Sequence, residues 1–294
     1  MRTAVFLLIL TILSPIAHGA QSSITEADGE SCMGDDKSRR QTERVALESA
    51  KRLAVEFSST HISSTTIVEN FELKNDIVEA FNKAEVKVLD VLNEKWDDPQ
   101  VSDCYTIRIK AEVLPSQEVM QKVDNTQMMS DPRLPLAVNL WVNSSSATYT
   151  EGESMKIYLQ GNKPFYARLI YVDSQGNNVQ LLPNQHRRDN YFAGATMFEV
   201  PTGQDQFELK VSPPFGKEKL VLYASTMPLG QVSTEAAGPD LYLVTDQAQA
   251  IGVKTRGIAI KSKNTDTASG GTSQNEVAEF TEAEVAITTR PRGT

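Results

Sequence analysis

Residues 104–113 have the sequence CYTIRIKAEV, in which apolar and polar side chains alternate from Tyr105 to Val113. Because successive side chains of a strand point to opposite faces, this alternation predicts a strand with one buried face. Upstream, small and apolar residues recur from Ala46 to Phe57 at the spacing of one helix face, which predicts a helix over about 37–58. A second helix is predicted over about 73–84. Residues 28–115 are therefore interpreted as an α+β domain, a small sheet with helices on one face.

From Leu136 onward the hydrophobic period is two, and it stays so. Short strands are predicted at spacings of about 10–15 residues, a pattern typical of a β-sandwich. These strands are expected at 136–142, 155–159, 165–171, 178–182, 196–200, 206–212 and 219–225. Residues 116–135, which include Pro132 and Pro135, are interpreted as a linker between two separable domains.

The predicted fold class is α+β: a small helix-covered sheet domain followed by an antiparallel β-sandwich over 136–290. The sandwich is expected to end in a loop-rich C-terminal hairpin. Alternation of Val285 and Ile287 with Ala286 and Thr288 suggests a strand over 284–289 that pairs with residues 257–260. The alternative is a disordered tail over 262–294.

Residues 1–20 have the pattern of a secretory signal peptide. Arg2 precedes an apolar run over 5–13, and small residues stand at positions −3 and −1 of a cleavage site after Gly19. The run is too short to span a bilayer, and no later stretch is long enough, so we expect no transmembrane span. The mature protein is expected outside the cytoplasm, in the periplasm.

Composition narrows the class of partner. The chain has 294 residues, with 29 Lys and Arg against 38 Asp and Glu, and a formal net charge of −9. Such an acidic surface argues against nucleic acid and anionic membrane as partners.

The two cysteines, Cys32 and Cys104, are expected to form a disulfide in an oxidising compartment. Closing a loop of this length stabilises a fold by about 4 kcal/mol in the chain-entropy model. Two buried free thiols are the alternative.

Two resemblances carry an expectation of function. The second half of the chain is similar to domain-of-unknown-function family 4384. The shared elements are Leu136–Trp141, Tyr149-x-x-Gly152, Tyr166, Asp173-x-x-Gly176, Leu181–Asn184, Val200-Pro201 and Pro213–Gly216.

The first domain resembles the N-terminal domain of flagellar assembly protein T and related small outer-membrane lipoproteins. The shared elements there are Gly34-Asp35, Ala46, Ala50–Ala54 and Ile109-x-Ala111-x-Val113. These families imply bacterial envelope proteins with binding or assembly roles and no established catalytic residues. Unlike the lipoproteins, this chain has no lipidation cysteine, because Glu30-Ser31 before Cys32 lacks the small and apolar residues required.

Motifs for catalysis are absent from the sequence. It has no P-loop, no G-x-G-x-x-G, no G-x-S-x-G and no S-x-x-K, and His61 and His186 are too isolated for a His-rich zinc site. We therefore expect no enzyme, no metal and no cofactor.

One polar and basic loop remains as a candidate ligand-binding site, for an anion such as a carboxylate or a sugar acid. Its candidate residues are Asn184, His186, Arg187 and Arg188. A solvated crossover is the alternative for this loop. The predicted function is an exported, non-catalytic envelope protein that binds or assembles with another envelope protein. The alternative is a periplasmic sensor for a small molecule or glycan, and the oligomeric state is left open.

Overall fold

A computed structural model describes residues 21–35, 37–68, 71–98, 100, 102–123, 125–236, 242–257 and 276–293. The predicted signal peptide over 1–20 lies outside the described residues, and so do residues 258–260 of the predicted hairpin. The first part of the described chain consists of β1 (Gln21–Cys32), α1 (Arg39–Thr65), α2 (Phe71–Asn82), β2 (Glu85–Trp96), β3 (Cys104–Leu114), α3 (Gln117–Met120) and α4 (Asn125–Ser130).

The second part is mostly strands. It consists of β4 (Val138–Val142), β5 (Thr148–Thr150), β6 (Ser154–Met155), β7 (Ile157–Gly161), β8 (Phe165–Val172), β9 (Asn178–Leu182), β10 (Tyr191–Phe192), β11 (Met197–Val200), β12 (Leu209–Lys210), β13 (Lys217–Ser225), β14 (Thr234–Ala236), β15 (Tyr242–Val244), α5 (Ala248–Thr255) and β16 (Ala278–Arg290). The predicted α+β class is confirmed.

One large sheet contains eleven of the described strands. Its main path runs β14-β15-β9-β8-β13-β16-β1-β3-β2, with β10 beside β8 and β5 beside β16. The long strand β16 lies between β13 and β1 and is antiparallel to both. A smaller sheet, ordered β11-β7-β4, packs against part of the large one. The large sheet therefore runs without a break from the first predicted domain into the second.

Alternating residues of the large sheet face two different layers. On one face, Ala27 packs with α1 and α2, and Ile287 packs with the smaller sheet. On the other face, Ile24 and Phe280 pack with Leu229 and Ile251. Those last two residues belong to what we call the cover segment, residues 226–236 and 242–257. The fold thus has a central sheet with a layer on each side.

Helix α1 packs closely on β1 because small residues meet at their contact. Ala46, Ala50 and Ala54 are fully buried on one face of the helix, and Gly29 lies opposite Ala46 and Ala50 on β1. A Cβ atom at Gly29 would lie 2.0 Å from the carbonyl oxygen of Ala46, so a side chain there is incompatible with this separation. This close contact places α1 on one face of the large sheet, to which β16 also belongs.

Two segments differ from the sequence-based expectations. Residues 21–27, which precede the predicted domain of 28–115, form most of strand β1, with Ser22, Ser23 and Thr25 buried. Residues 116–135 contain α3 and α4, and Met128 and Leu134 are buried in the core. Residues 284–289 form a strand as predicted, within β16, and they pair with β13 and β5; the predicted pairing with 257–260 is not tested, because 258–260 lie outside the described residues. The domain boundaries themselves stay a prediction.

Candidate ligand-binding pocket

The disulfide between Cys32 and Cys104 is present, as predicted. The two residues face each other in the register of β1 and β3, at the last residue of one strand and the first of the other. Glu30 approaches the two sulfur atoms, and these three residues are the one group in the described chain with metal-ligand spacing. Because both sulfurs are in the disulfide, neither is available as a thiolate ligand.

The loop over 184–190 is held largely by its own hydrogen bonds. The Asn184 side chain accepts from the backbone N–H groups of His186 and Arg187, and it donates to the carbonyl of Leu181. Such a pattern is that of an Asx turn, which fixes the loop locally. Asn184 therefore acts as a structural residue here.

Two other candidate residues of this loop also contact protein groups. The Arg187 guanidinium lies 3.3 Å from Asp205 Oδ2 and stacks over the ring of Phe192 at 5.1 Å. The His186 ring stacks on Phe207 with centroids 6.1 Å apart. The structure thus does not bring the four candidate residues together around one cavity.

Arg188 is different because its side chain lines a pocket. The pocket has a volume of about 300 Å³ and lies between β8, β9, the 184–190 loop and the cover segment. Its polar lining residues are Arg168, Gln180, Arg188, Asn190, Gln231 and Thr234. Its apolar and aromatic lining residues are Tyr166, Pro183, Pro228, Leu229 and Val232.

Arg168 is the residue that sequence reasoning missed. It is only 4% exposed, in the middle of the apolar strand β8. One terminal nitrogen of its guanidinium donates to the carbonyl of Gly230 at 2.8 Å and to Thr255 Oγ1 at 3.0 Å. Both acceptors belong to the cover segment, so this side chain links the cover to the sheet.

The charge of Arg168 is not balanced by a described acidic neighbour. Burial lowers the pKa of Arg168 to about 10, which still leaves it cationic at neutral pH. Its Nε has no hydrogen-bond partner among the described residues. Buried charged groups ordinarily have a partner of opposite charge, so a buried guanidinium without a described acidic partner is an unusual feature of this pocket.

A second arginine, Arg256, anchors the other end of the cover segment outside the pocket. It contacts Glu112 at 2.5 Å and Glu282 at 3.1 Å, and its guanidinium lies 4.6 Å from the ring centroid of Phe280. Ser22 on β1 also donates to Glu112. Here a half-buried cation has carboxylate partners, which Arg168 lacks in the described chain.

The other buried carboxylate of note, Glu279, lies on the opposite face of the sheet. It accepts from the backbone N–H of Leu136 at 2.6 Å and from Lys163 at 2.9 and 3.0 Å, and His61 Nε2 lies 3.3 Å away. Burial raises the pKa of Glu279, but the hydrogen bond to His61 and the attraction of Lys163 outweigh it, so the pKa is lowered overall. This cluster joins α1, the segment before β4 and β16, and it has a structural role.

The aromatic residues singled out by sequence divide between core and surface. Tyr149 and Phe165 are buried in the sandwich core. Trp141 and Tyr158 stack on each other at 5.7 Å and are half-buried. Tyr166 pairs with Tyr191 at 5.1 Å beside the pocket.

Comparison with known proteins supports one of the two resemblances. Residues 148–228 match the model of a domain of unknown function, DUF4384. That match covers β5 to β13 and includes Arg168, Gln180 and Arg188. It does not extend to the first domain, whose resemblance to flagellar assembly protein T stays a prediction. No curated protein and no solved structure matches the chain.

The described helices were also compared with the requirements of a membrane span. None of those within the described ranges is both long enough and apolar enough to cross a bilayer.

Proposed function

We propose that this protein is an exported, non-catalytic binding module of the cell envelope, and that it binds a small molecule in the pocket beside Arg168. The observation that carries the proposal is a cavity of about 300 Å³ lined by a buried arginine without a described acidic partner. Ligand sites are typically cavities of about 300–1,000 Å³ with a few placed polar groups.

The architecture supports binding rather than catalysis. Two arginines and three side-chain amides line the pocket, and the described lining contains no carboxylate, histidine or cysteine that could activate the hydroxyl of Tyr166 or Thr234 as a nucleophile. Arginine and amide groups bind and orient polar ligands. The predicted signal peptide and the disulfide support an oxidising, extracytoplasmic location.

A specific surface observation favours assembly with another envelope protein as the second candidate. Ile67 is 64% exposed and Phe71 is 77% exposed, at the end of α1 and the start of α2. Strand β2 also lies at one end of the large sheet. Exposed apolar residues and open strand edges are features of protein-binding surfaces. If assembly is the main role, Phe71→Ser should abolish partner crosslinking and leave the pocket unaffected.

The test of the small-molecule proposal is retention of ligands from an envelope extract. The secreted protein is incubated with the extract, dialysed, denatured, and the released small molecules are identified by mass spectrometry. Gln231→Trp and Thr234→Trp place a large ring at exposed positions of the pocket lining. Gln175→Trp places the same ring at an exposed turn outside the lining, as the matched control.

The wild type and the Gln175→Trp variant should retain the same compound, and both pocket variants should lose it. Retention of nothing by the wild type, or equal retention by all four proteins, would overturn the small-molecule proposal. Export is tested separately by cell fractionation. Protein found in the cytoplasmic fraction with free thiols would overturn the envelope location.

A further inference from the structure

The pocket has a local charge opposite to that of the whole chain. Arg168 and Arg188 both line it, and no acidic residue lines it in the ranges that the structure describes. The chain as a whole has a formal net charge of −9. The Arg188 side chain makes no ion pair or hydrogen bond with any described residue, unlike its neighbour Arg187. Two guanidinium groups facing one cavity favour a negatively charged ligand.

Two buried lining groups also lack hydrogen-bond partners. One is a donor, Arg168 Nε, and the other is an acceptor, Gln180 Oε1. Gln180 uses its own amide nitrogen to donate to the carbonyl of Pro183 at 2.8 Å, so only its oxygen remains free. Leaving such buried atoms without a hydrogen bond is energetically unfavourable. Both atoms have almost no exposed surface, so a ligand reaches them only when the side chains around them shift, and it must then accept one hydrogen bond and donate another.

From these two observations we propose that the pocket binds a small hydroxylated organic anion, such as a sugar acid or a sugar phosphate. The oxyanion accepts from Arg168 and Arg188, and a ligand hydroxyl donates to Gln180. Asn190, Gln231 and Thr234 line the same pocket, and their amide and hydroxyl groups can hydrogen-bond to further hydroxyl groups of the ligand. This inference rests on the proposed small-molecule function and specifies its ligand.

Other ligand classes fit the same lining less well. An apolar ligand would exclude water from the pocket and leave both Arg168 Nε and Gln180 Oε1 without a hydrogen bond. A cation would meet two like charges. A neutral sugar could satisfy Gln180 but would leave the buried guanidinium without a counter-charge.

The test is calorimetric titration of the secreted, oxidised protein with four probes. The probes are glucuronate, glucose 6-phosphate, glucose and inorganic phosphate. We expect at least one of the two sugar anions to bind at least 10-fold more tightly than glucose, because a charge-assisted contact is lost with the neutral sugar. The sugar anion should also bind at least 10-fold more tightly than inorganic phosphate, which lacks the hydroxylated ring.

Matched arginine variants assign the charge effect to the pocket. Arg188→Gln should weaken binding of the sugar anion about 10-fold or more and leave binding of glucose unchanged. Arg40→Gln removes the same charge at an exposed position of α1 and should change neither. Since Arg188 is exposed, its replacement should leave the melting temperature as it is in the wild type.

The outcomes separate the two proposals. Binding of glucose as tight as that of either anion, unaffected by Arg188→Gln, would overturn the anion inference and leave the small-molecule function standing. Inorganic phosphate binding as tightly as glucose 6-phosphate would overturn the hydroxylated part. No binding of either sugar anion would overturn the whole inference, and the extract experiment with Gln231→Trp then decides the function on its own. Preference between glucuronate and glucose 6-phosphate distinguishes a carboxylate from a phosphate ligand.

Discussion

Replacing Glu279 by Gln should destabilise the fold by removing one partner of a buried ion pair. The Glu279 side chain is 5% exposed and that of Lys163 is 12% exposed, and the two are 2.9 Å apart. Breaking a buried pair typically costs about 3–5 kcal/mol, because the remaining charge loses its counter-charge. Lys163 keeps some solvent contact, so we expect the lower end, about 3 kcal/mol. For a chain of this size that corresponds to a decrease in Tm of about 6–12 °C.

The cost should depend on pH in a direction fixed by the lowered pKa of Glu279. A carboxyl whose pKa is lower in the folded than in the unfolded state stabilises the fold above the unfolded value, here 4.5. That stabilisation is lost as the pH falls through the lowered folded pKa. The difference in Tm between wild type and Glu279→Gln should therefore be full at pH 7 and should narrow below pH 4.5.

Thermal unfolding followed by circular dichroism at pH 7 and at pH 4 measures both effects. Glu284→Gln is the matched control, because Glu284 lies on the same strand in an exposed pair with Lys219 at 2.8 Å. Exposed pairs contribute about 0–1 kcal/mol, so this variant should melt within a few degrees of the wild type. A Glu279→Gln variant that melts like Glu284→Gln at pH 7 would refute the argument that this cluster holds α1, the segment before β4 and the sheet together.

Three further predictions concern the frame of the molecule. Replacing Cys32 and Cys104 by Ser should lower the free energy of unfolding by about 4 kcal/mol, and a reductant should lower the Tm of the wild type but not of the double variant. Gly29→Ala should destabilise by about 1–3 kcal/mol or more, because its Cβ meets the backbone of α1, while Gly203→Ala, which has open space, should not; equal Tm values would contradict the close contact. Fragment 136–294 should melt below the whole chain because it lacks β1, the neighbour of β16; an unchanged cooperative transition would instead support separable domains.

The sequence predicted elements where the pattern was local and apolar. Strand β3 and the start of α1 were predicted from hydrophobic periodicity. The disulfide was predicted from the expected export and from the presence of two cysteines. The first part of strand β1, residues 21–27, was missed because its buried positions include Ser22, Ser23 and Thr25, whose partners lie on distant strands. Because these buried residues are polar, the segment shows no alternation of apolar and polar side chains. Its burial results from pairing with β3 and β16, which the local sequence does not show.

The candidate site was predicted only in part for a related reason. The basic loop was visible as a run of charge, but the partner of Arg187, Asp205, lies 18 residues further along the chain. Arg188 was singled out as part of that basic loop, and its side chain lines the pocket, whereas Arg168 was passed over as one residue of an apolar strand. The available signal was a single arginine between the apolar residues of β8, because arginine is almost never fully buried unless it has a partner.

The order of strands in the large sheet has a consequence for how the chain folds. Gln21 faces Thr281, so the first described strand finds one of its two neighbours only when the last described strand has been synthesised. Until then β1 and β13 each present an unpaired edge, the kind of surface to which other chains add strands. Pairings this far apart in sequence form slowly. A chain that emerges with its N-terminus first therefore keeps a gap in the centre of its large sheet until β16 arrives and pairs with both neighbours.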